Sequence, residues 1–210
     1  MDFLYTSINV MDIRDFFYFG TKLSSSTVQV VPVGLKKDKT GLSGHLRLVL
    51  GNYDEIDFPV LFKQDEGKKL QDVLETGTAA LYLISDKMKN ALTENQLTGW
   101  KTFPVRVLDK RGNEIEGYHG LSITGRSGPL DYSKCPVIET RVSPSAPLVK
   151  HYVGKYIDLS TWDGSDFFLP EGSYGTIITP KAAHVLTKNK LTNIDLDRLG
   201  DIETPLFAVR

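Results

Sequence analysis

A chain of 210 residues with 40% hydrophobic and 24% charged residues can bury a sizeable core and is neither disordered nor fibrous in composition. Its 25 basic and 26 acidic residues leave a formal net charge of -1, so no general electrostatic force draws it to nucleic acid or to an anionic membrane. The single cysteine, Cys135, excludes an intramolecular disulfide scaffold. The start lacks the basic and apolar regions of a signal peptide, and no stretch approaches the roughly 18 apolar residues of a membrane span. The expected location is therefore the cytoplasm.

In chain order, Phe16 to Gly20 is a dense aromatic run that reads as a buried strand or helix turn. Val28 to Val33 alternates as a strand does, and Lys36 to Thr40 reads as a charged, solvated loop. His45 to Leu50 alternates polar and apolar residues, which predicts a half-buried strand ending in a turn at Gly51-Asn52. Phe58 to Phe62 predicts a short strand in which Pro59 marks an edge or a start, because proline cannot donate to the ladder. Leu70, Val73 and Leu74 fall at helical spacing, so 67–76 reads as a short amphipathic helix. Ala80 to Ile84 reads as a strand, followed by a helix capped by Ser85 and carrying Met88, Ala91 and Leu92 on one face to near Asn95. Phe103 to Leu108 predicts a strand, 109–114 a hairpin loop, and 115–124 one returning strand or two short ones.

The segment 125–147 is rich in glycine, proline and serine and reads mostly as extended surface loop. It is either a domain boundary or a long crossing within one domain. Tyr152 to Leu159 is strand-like, and Trp162 to Phe168 is an aromatic and acidic turn.

Two segments, 84–99 and 178–193, align without a gap as ISDKMKNALTENQLTG and ITPKAAHVLTKNKLTN. Ser85 and Thr179 stand as N-caps, and Pro180 occupies a first helical position where a missing N–H costs nothing. Strand-like residues precede both copies. Phe103 to Val105 follows the first copy and Thr204 to Val209 the second, giving a strand–helix–strand unit twice. The two helices are expected to pack on a shared sheet about a pseudo-twofold axis. The expected fold class is α+β, with a mixed, largely antiparallel sheet and a few short helices. Residues 1–210 read as a single compact unit, divisible into a β-rich part over 1–75 and a part over 76–210 that holds the repeat.

The chemistry-bearing residues are sparse. His45, His119, His151 and His184 show no metal-ligand spacing, and no phosphate loop, dinucleotide fingerprint or nucleophile elbow occurs. The expectation is no catalytic set, no metal and no cofactor. The stretch from Tyr118 to Asp131 is the most distinctive, with His119, Arg126 and Asp131 able to converge on an anion or a proton transfer. Its plainer reading is a strand and loop in which Arg126 pairs with Asp131. Asp163 and Asp166 could face a cation, but an aspartate-closed turn with Trp162 packed on the core fits the spacing better.

The chain resembles a family of bacterial proteins of polymorphic toxin systems that are identified as immunity proteins. The resemblance rests on Gly99-Trp100 followed by Phe103-Pro104-Val105, on 117–131, and on Trp162 to Phe167, and spans the C-terminal two thirds. Some members of that family carry a cysteine where Ser127 stands. What the resemblance implies is a non-enzymatic inhibitor that binds a cognate toxin through a complementary surface, with homo-oligomerisation left open. The residues through which it would bind are the distinctive ones: Tyr118, His119, Arg126, Asp131, Trp162, Asp163 and Asp166. The other reading is a small enzyme with His119 as acid or base and Arg126 as anion clamp.

Overall fold

The computed structural model describes residues 12–22, 24–35, 43–141, 143 and 145–209. The expected loop at Lys36 to Thr40 lies outside them. The first elements are strands β1 (Phe17–Gly20) and β2 (Gln29–Pro32), helix α1 (Gly44–Leu50), and strands β3 (Val60–Glu66), β4 (Val73–Glu75) and β5 (Tyr82–Ser85). Helix α2 (Asp86–Glu94) follows, then β6 (Trp100–Phe103), β7 (Val105–Leu108), β8 (Glu114–Ile115), β9 (Tyr118–Ile123) and β10 (Gly125–Ser127). The chain continues through β11 (Val137–Thr140), β12 (Val149–Val153), β13 (Phe167–Pro170), β14 (Ile177–Ile178), α3 (Pro180–Lys188), β15 (Asp195–Arg198) and β16 (Glu203–Pro205). The fold is α+β, with mixed sheets in which most strand pairs are antiparallel.

Two sheets carry the same arrangement. One runs β6-β9-β5-β4-β2 and continues into β3, β7 and β8; the other runs β15-β1-β14-β13-β10. Their registers match at a constant offset of 94 positions between β4-β5-β6 and β13-β14-β15. Val73 faces Ile84 as Phe167 faces Ile178, and Leu74 faces Leu83 as Phe168 faces Ile177. In each sheet the third antiparallel neighbour, β9 or β1, inserts between the strand before the helix and the strand after it. That inserted strand comes from the other half of the chain. Outside this matched frame, β11, β12 and β16 form a three-stranded antiparallel sheet of their own.

The two helices are therefore not on one shared sheet, as the repeat suggested. Each follows its own sheet, and α2 and α3 pack against each other. Met88, Ala91 and Leu92 of α2 and Ala182, Ala183, Val185 and Leu186 of α3 enter one hydrophobic cluster with Phe19, Leu83, Ile84, Phe167 and Ile178. The strand after the second copy is β15, not the segment from Thr204 onward. Ile194 to Asp197 shares no residue with Trp100 to Phe103, so the equivalence is invisible in the sequence.

Three local readings are corrected. His45 to Leu50 is helix α1, because Ser43 accepts from the Leu46 N–H at 3.3 Å and Gly51 closes the helix in the left-handed region at φ 73. Segment 67–76 is not a helix. Val73 and Leu74 are consecutive and fully buried because β4 lies between two strands and is covered on both faces, which mimics helical spacing in sequence. Phe103 to Leu108 is two strands split at Pro104. The described residues of 125–147 are mostly loop, as expected, interrupted by β10, β11 and a 3₁₀ turn over Tyr132–Lys134. Pro59 precedes a central strand, so it marks a start and not an edge.

Candidate functional site

The bonding that joins the two halves starts at Ser85 and Thr179. Both have nearly the same backbone, φ -69 and ψ 160 against φ -70 and ψ 160, and both side chains accept from the N–H three residues on. Each hydroxyl then donates to an aspartate 13 residues earlier: Ser85 to Asp72 at 2.8 Å, and Thr179 to Asp166 at 2.9 Å. The second carboxylate oxygen of each aspartate reaches into the opposite half. Asp72 accepts from the N–H and hydroxyl of Thr192, both at 2.8 Å. Asp166 accepts from the N–H of Thr98 at 3.0 Å and its hydroxyl at 3.3 Å.

The exchange is reciprocal down to the main chain. Asp72 N–H donates to the Thr192 hydroxyl at 2.9 Å, and Asp166 N–H to the Thr98 hydroxyl at 3.1 Å. Lys87 and Lys181 lie 3.6 and 3.5 Å from the carboxylates of Asp72 and Asp166, and each also donates across to a carbonyl of the opposite loop, Lys190 or Gln96. Burial pushes the Asp72 carboxyl up, but the Ser85 and Thr192 donors with Lys87 outweigh it and hold the group below its ordinary value. Asp166, one of the residues singled out in the sequence, thus holds the halves together. Its counterpart Asp72 was missed. Carrying the 94-residue alignment back past Ile84 brings Asp72 onto Asp166 and would have found it.

Tyr118, His119, Arg126 and Asp131 of the distinctive stretch are each bonded to groups of the protein itself. Tyr118 donates to the Gln71 carbonyl at 2.7 Å, and burial, with the nearby Asp72 charge, pushes its phenol up to about 12. His119 Nε2–H donates to Asp86, the first residue of α2, at 2.7 Å. The Arg126 guanidinium donates to the carbonyls of Ile123, Gly125 and Leu50 at 2.6, 2.7 and 3.0 Å, which ties β10 to the end of α1. Burial pulls its pKa below the ordinary value, and the Asp163 charge offsets only part of that. Arg126 does not pair with Asp131, contrary to the plainer reading. Asp131 instead caps a 3₁₀ turn over Tyr132–Lys134 by accepting from the Ser133 N–H at 3.0 Å, with Lys134 at 3.5 Å. A short polar side chain at a turn start finds its own backbone before it finds a distant guanidinium.

Residues Trp162 to Asp166 lock β10 onto β13. Asp163 accepts from the Ser165 N–H at 3.0 Å and from the Arg126 N–H at 2.8 Å, closing an Asx turn and holding the neighbouring strand at once. Trp162 packs edge-on to Phe16, with centroids 5.2 Å apart, and lies against Phe168 at 5.6 Å. The seven singled-out residues therefore do not form one constellation. Tyr118, Asp166 and the clasps serve the joint between halves, His119 holds the start of α2, the Arg126 side chain ties β10 to α1, Asp163 holds β10 by the Arg126 N–H, Trp162 packs on Phe16 and Phe168, and Asp131 serves a turn. Among the described residues no group of three histidine, cysteine, aspartate or glutamate side chains is placed to hold a metal ion.

The surface differs from these joints. A cleft of about 450 Å³ between α1 and 169–174 is lined by Leu46, Leu50, Leu169 and Tyr174 with Arg126 in its wall. Large apolar side chains stand exposed on the small sheet and beside it: Val137 on β11, Leu148 just before β12, and Phe207, which is 78% exposed in the 3₁₀ turn after β16. Sequence reasoning missed these, since nothing in a lone Val, Leu or Phe announces exposure. No helix of the described residues is long and apolar enough to cross a membrane. No protein-family model matches the chain, and no curated protein matches it.

Proposed function

We propose that the protein is a non-enzymatic binding protein of the cytoplasm, an immunity protein that neutralises a cognate bacterial toxin by direct contact. The resemblance over 99–105, 117–131 and 162–167 suggests the class. The observation that carries the reading is the use of Arg126: a guanidinium directed at three backbone carbonyls is a strut, not an anion clamp. His119, the acid or base of the enzyme reading, is bonded to Asp86 and braces the first turn of α2. Inhibition by contact needs no reactive group, only a surface with a few desolvated anchors. The candidate anchors are the exposed side chains of Val137 on β11, Leu148 just before β12 and Phe207 after β16, around the one sheet without a counterpart in the other half.

The test is co-expression with the product of the neighbouring gene, which on this reading is the toxin. Restored growth and a co-purifying complex are expected. Phe207→Asp should weaken the complex by about 30-fold or more, as loss of an aromatic anchor does. Absence of both rescue and complex would sink the reading, while rescue unchanged by substitutions at Phe207 and Val137 would move the contact to another face.

A further inference from the structure

We propose that the chain consists of two strand-exchanged halves, neither of which can hold its own sheet, and that each half is the binding partner the other is built to fit. The division falls in the exposed loop between β7 and β8, where Lys110 to Asn113 are exposed. The strands before it, β1 apart, build the eight-stranded sheet except for its inserted strand β9 and its short edge strand β8; β10, β13, β14 and β15 after it build the five-stranded sheet except for its inserted strand β1.

The argument rests on which strands lie inside. β9, from the second half, is hydrogen-bonded on both sides, to β5 and β6 of the first half. β1, from the first half, is bonded on both sides to β14 and β15 of the second. Removing an inserted strand opens two rows of backbone donors and acceptors in the middle of a sheet rather than at its edge. It also uncovers the side chains that the exchange buries. Phe16 and Phe19 around β1, and Leu121 and Ile123 on β9, are at most 1% exposed. Phe19 meets Phe167 and Tyr82 edge-on at 6.1 and 5.5 Å, so a single ring from the first half touches both sheets.

Both clasps cross the same division. Asp72 and Lys87 reach Thr192 and Lys190, while Asp166 and Lys181 reach Thr98 and Gln96. Charge-assisted bonds with fixed geometry at symmetry-related positions set the register of the halves, much as an isologous dimer interface repeats its contacts about an axis. Covalent continuity at residues 110–113 is then unnecessary to the folded state.

The test places a specific protease site in the 110–113 loop of the full chain and cuts the folded protein. Both fragments are expected to co-elute as one species of the size of the intact 23.4 kDa chain and to part only in denaturant. Returned to buffer alone, each fragment should show no cooperative unfolding transition. Mixed in equal amounts, they should recover the transition of the cut protein, with the uncut chain taken through the same cycle setting the recoverable fraction. Thr98→Val with Thr192→Val, which spares every carboxylate, should raise the concentration needed for half-assembly at least about tenfold. Fragments that part in native buffer, or one that refolds alone with its own transition, would overturn the proposal. Assembly unaffected by the threonine pair would remove the clasps from it.

Discussion

Two carboxylates carry more of this structure than their number suggests. Asp72 satisfies a helix cap, a lysine and the backbone of the opposite half at once, and Asp166 repeats it. Hydrogen bonds to a charged group contribute about 1.5–3 kcal/mol each, so Asp72→Ala should cost about 3 kcal/mol, read as a shift of the urea midpoint at unchanged slope. The pH dependence has a definite sign. The folded Asp72 carboxyl titrates below its ordinary 3.8, so its stabilisation is fully present above that value and is lost as pH falls through the lower, folded one. Stability should therefore fall below about pH 4, and Asp72→Asn should flatten that acid limb; an unchanged limb would show that other carboxylates cause it. Gly99 is a second sensitive residue. Its φ is 80, and an added Cβ would lie 2.0 Å from the Phe167 carbonyl oxygen. Gly99→Ala should destabilise by about 2 kcal/mol or more in the same assay, combining left-handed strain with a clash against main chain that cannot give way.

At the scale of elements, α2 and α3 are one design used twice. Both have nine residues, an N-cap hydroxyl, and an asparagine C-cap whose side-chain amide donates to the carbonyl four residues back, at 2.8 and 2.9 Å. Ser85→Ala and Thr179→Ala should each cost about 1 kcal/mol from the cap, and more through the released aspartate. A smaller loss would mean that water replaces the hydroxyl in the clasp. These helices were legible because cap, apolar face and stop are all local. α1 was not, since its capping residues flank a segment whose alternation imitates a strand. β4 was not, because burial on both faces erases alternation. The exchange of β1 and β9 left no trace at all: Phe17 to Gly20 occupies the register of His119 to Ser122 with no residue matching, and strand partners far apart in sequence are chosen by the core. Likewise the chemistry suggested by His119, Arg126 and Asp131 depended on proximity, and sequence order does not give proximity.

For the whole molecule, the consequence is cooperativity. Each sheet needs a strand from the other half, so neither can melt while its counterpart stays folded. The exposed side chains of Val137 on β11, Leu148 just before β12 and Phe207 after β16 lie outside this interlock, so substitutions there should leave the frame intact. The interlock itself has two natural reporters. Trp100 begins β6 of the first sheet, and Trp162 packs on Phe16 and Phe168 beside the second. The most direct measurement is urea unfolding of Trp100→Phe and Trp162→Phe, each followed by the fluorescence of its remaining tryptophan and by far-ultraviolet circular dichroism. Interlocked halves require the two signals to coincide within each variant. A tryptophan transition separated from the dichroism transition in either variant would show halves that unfold independently, and would contradict the account.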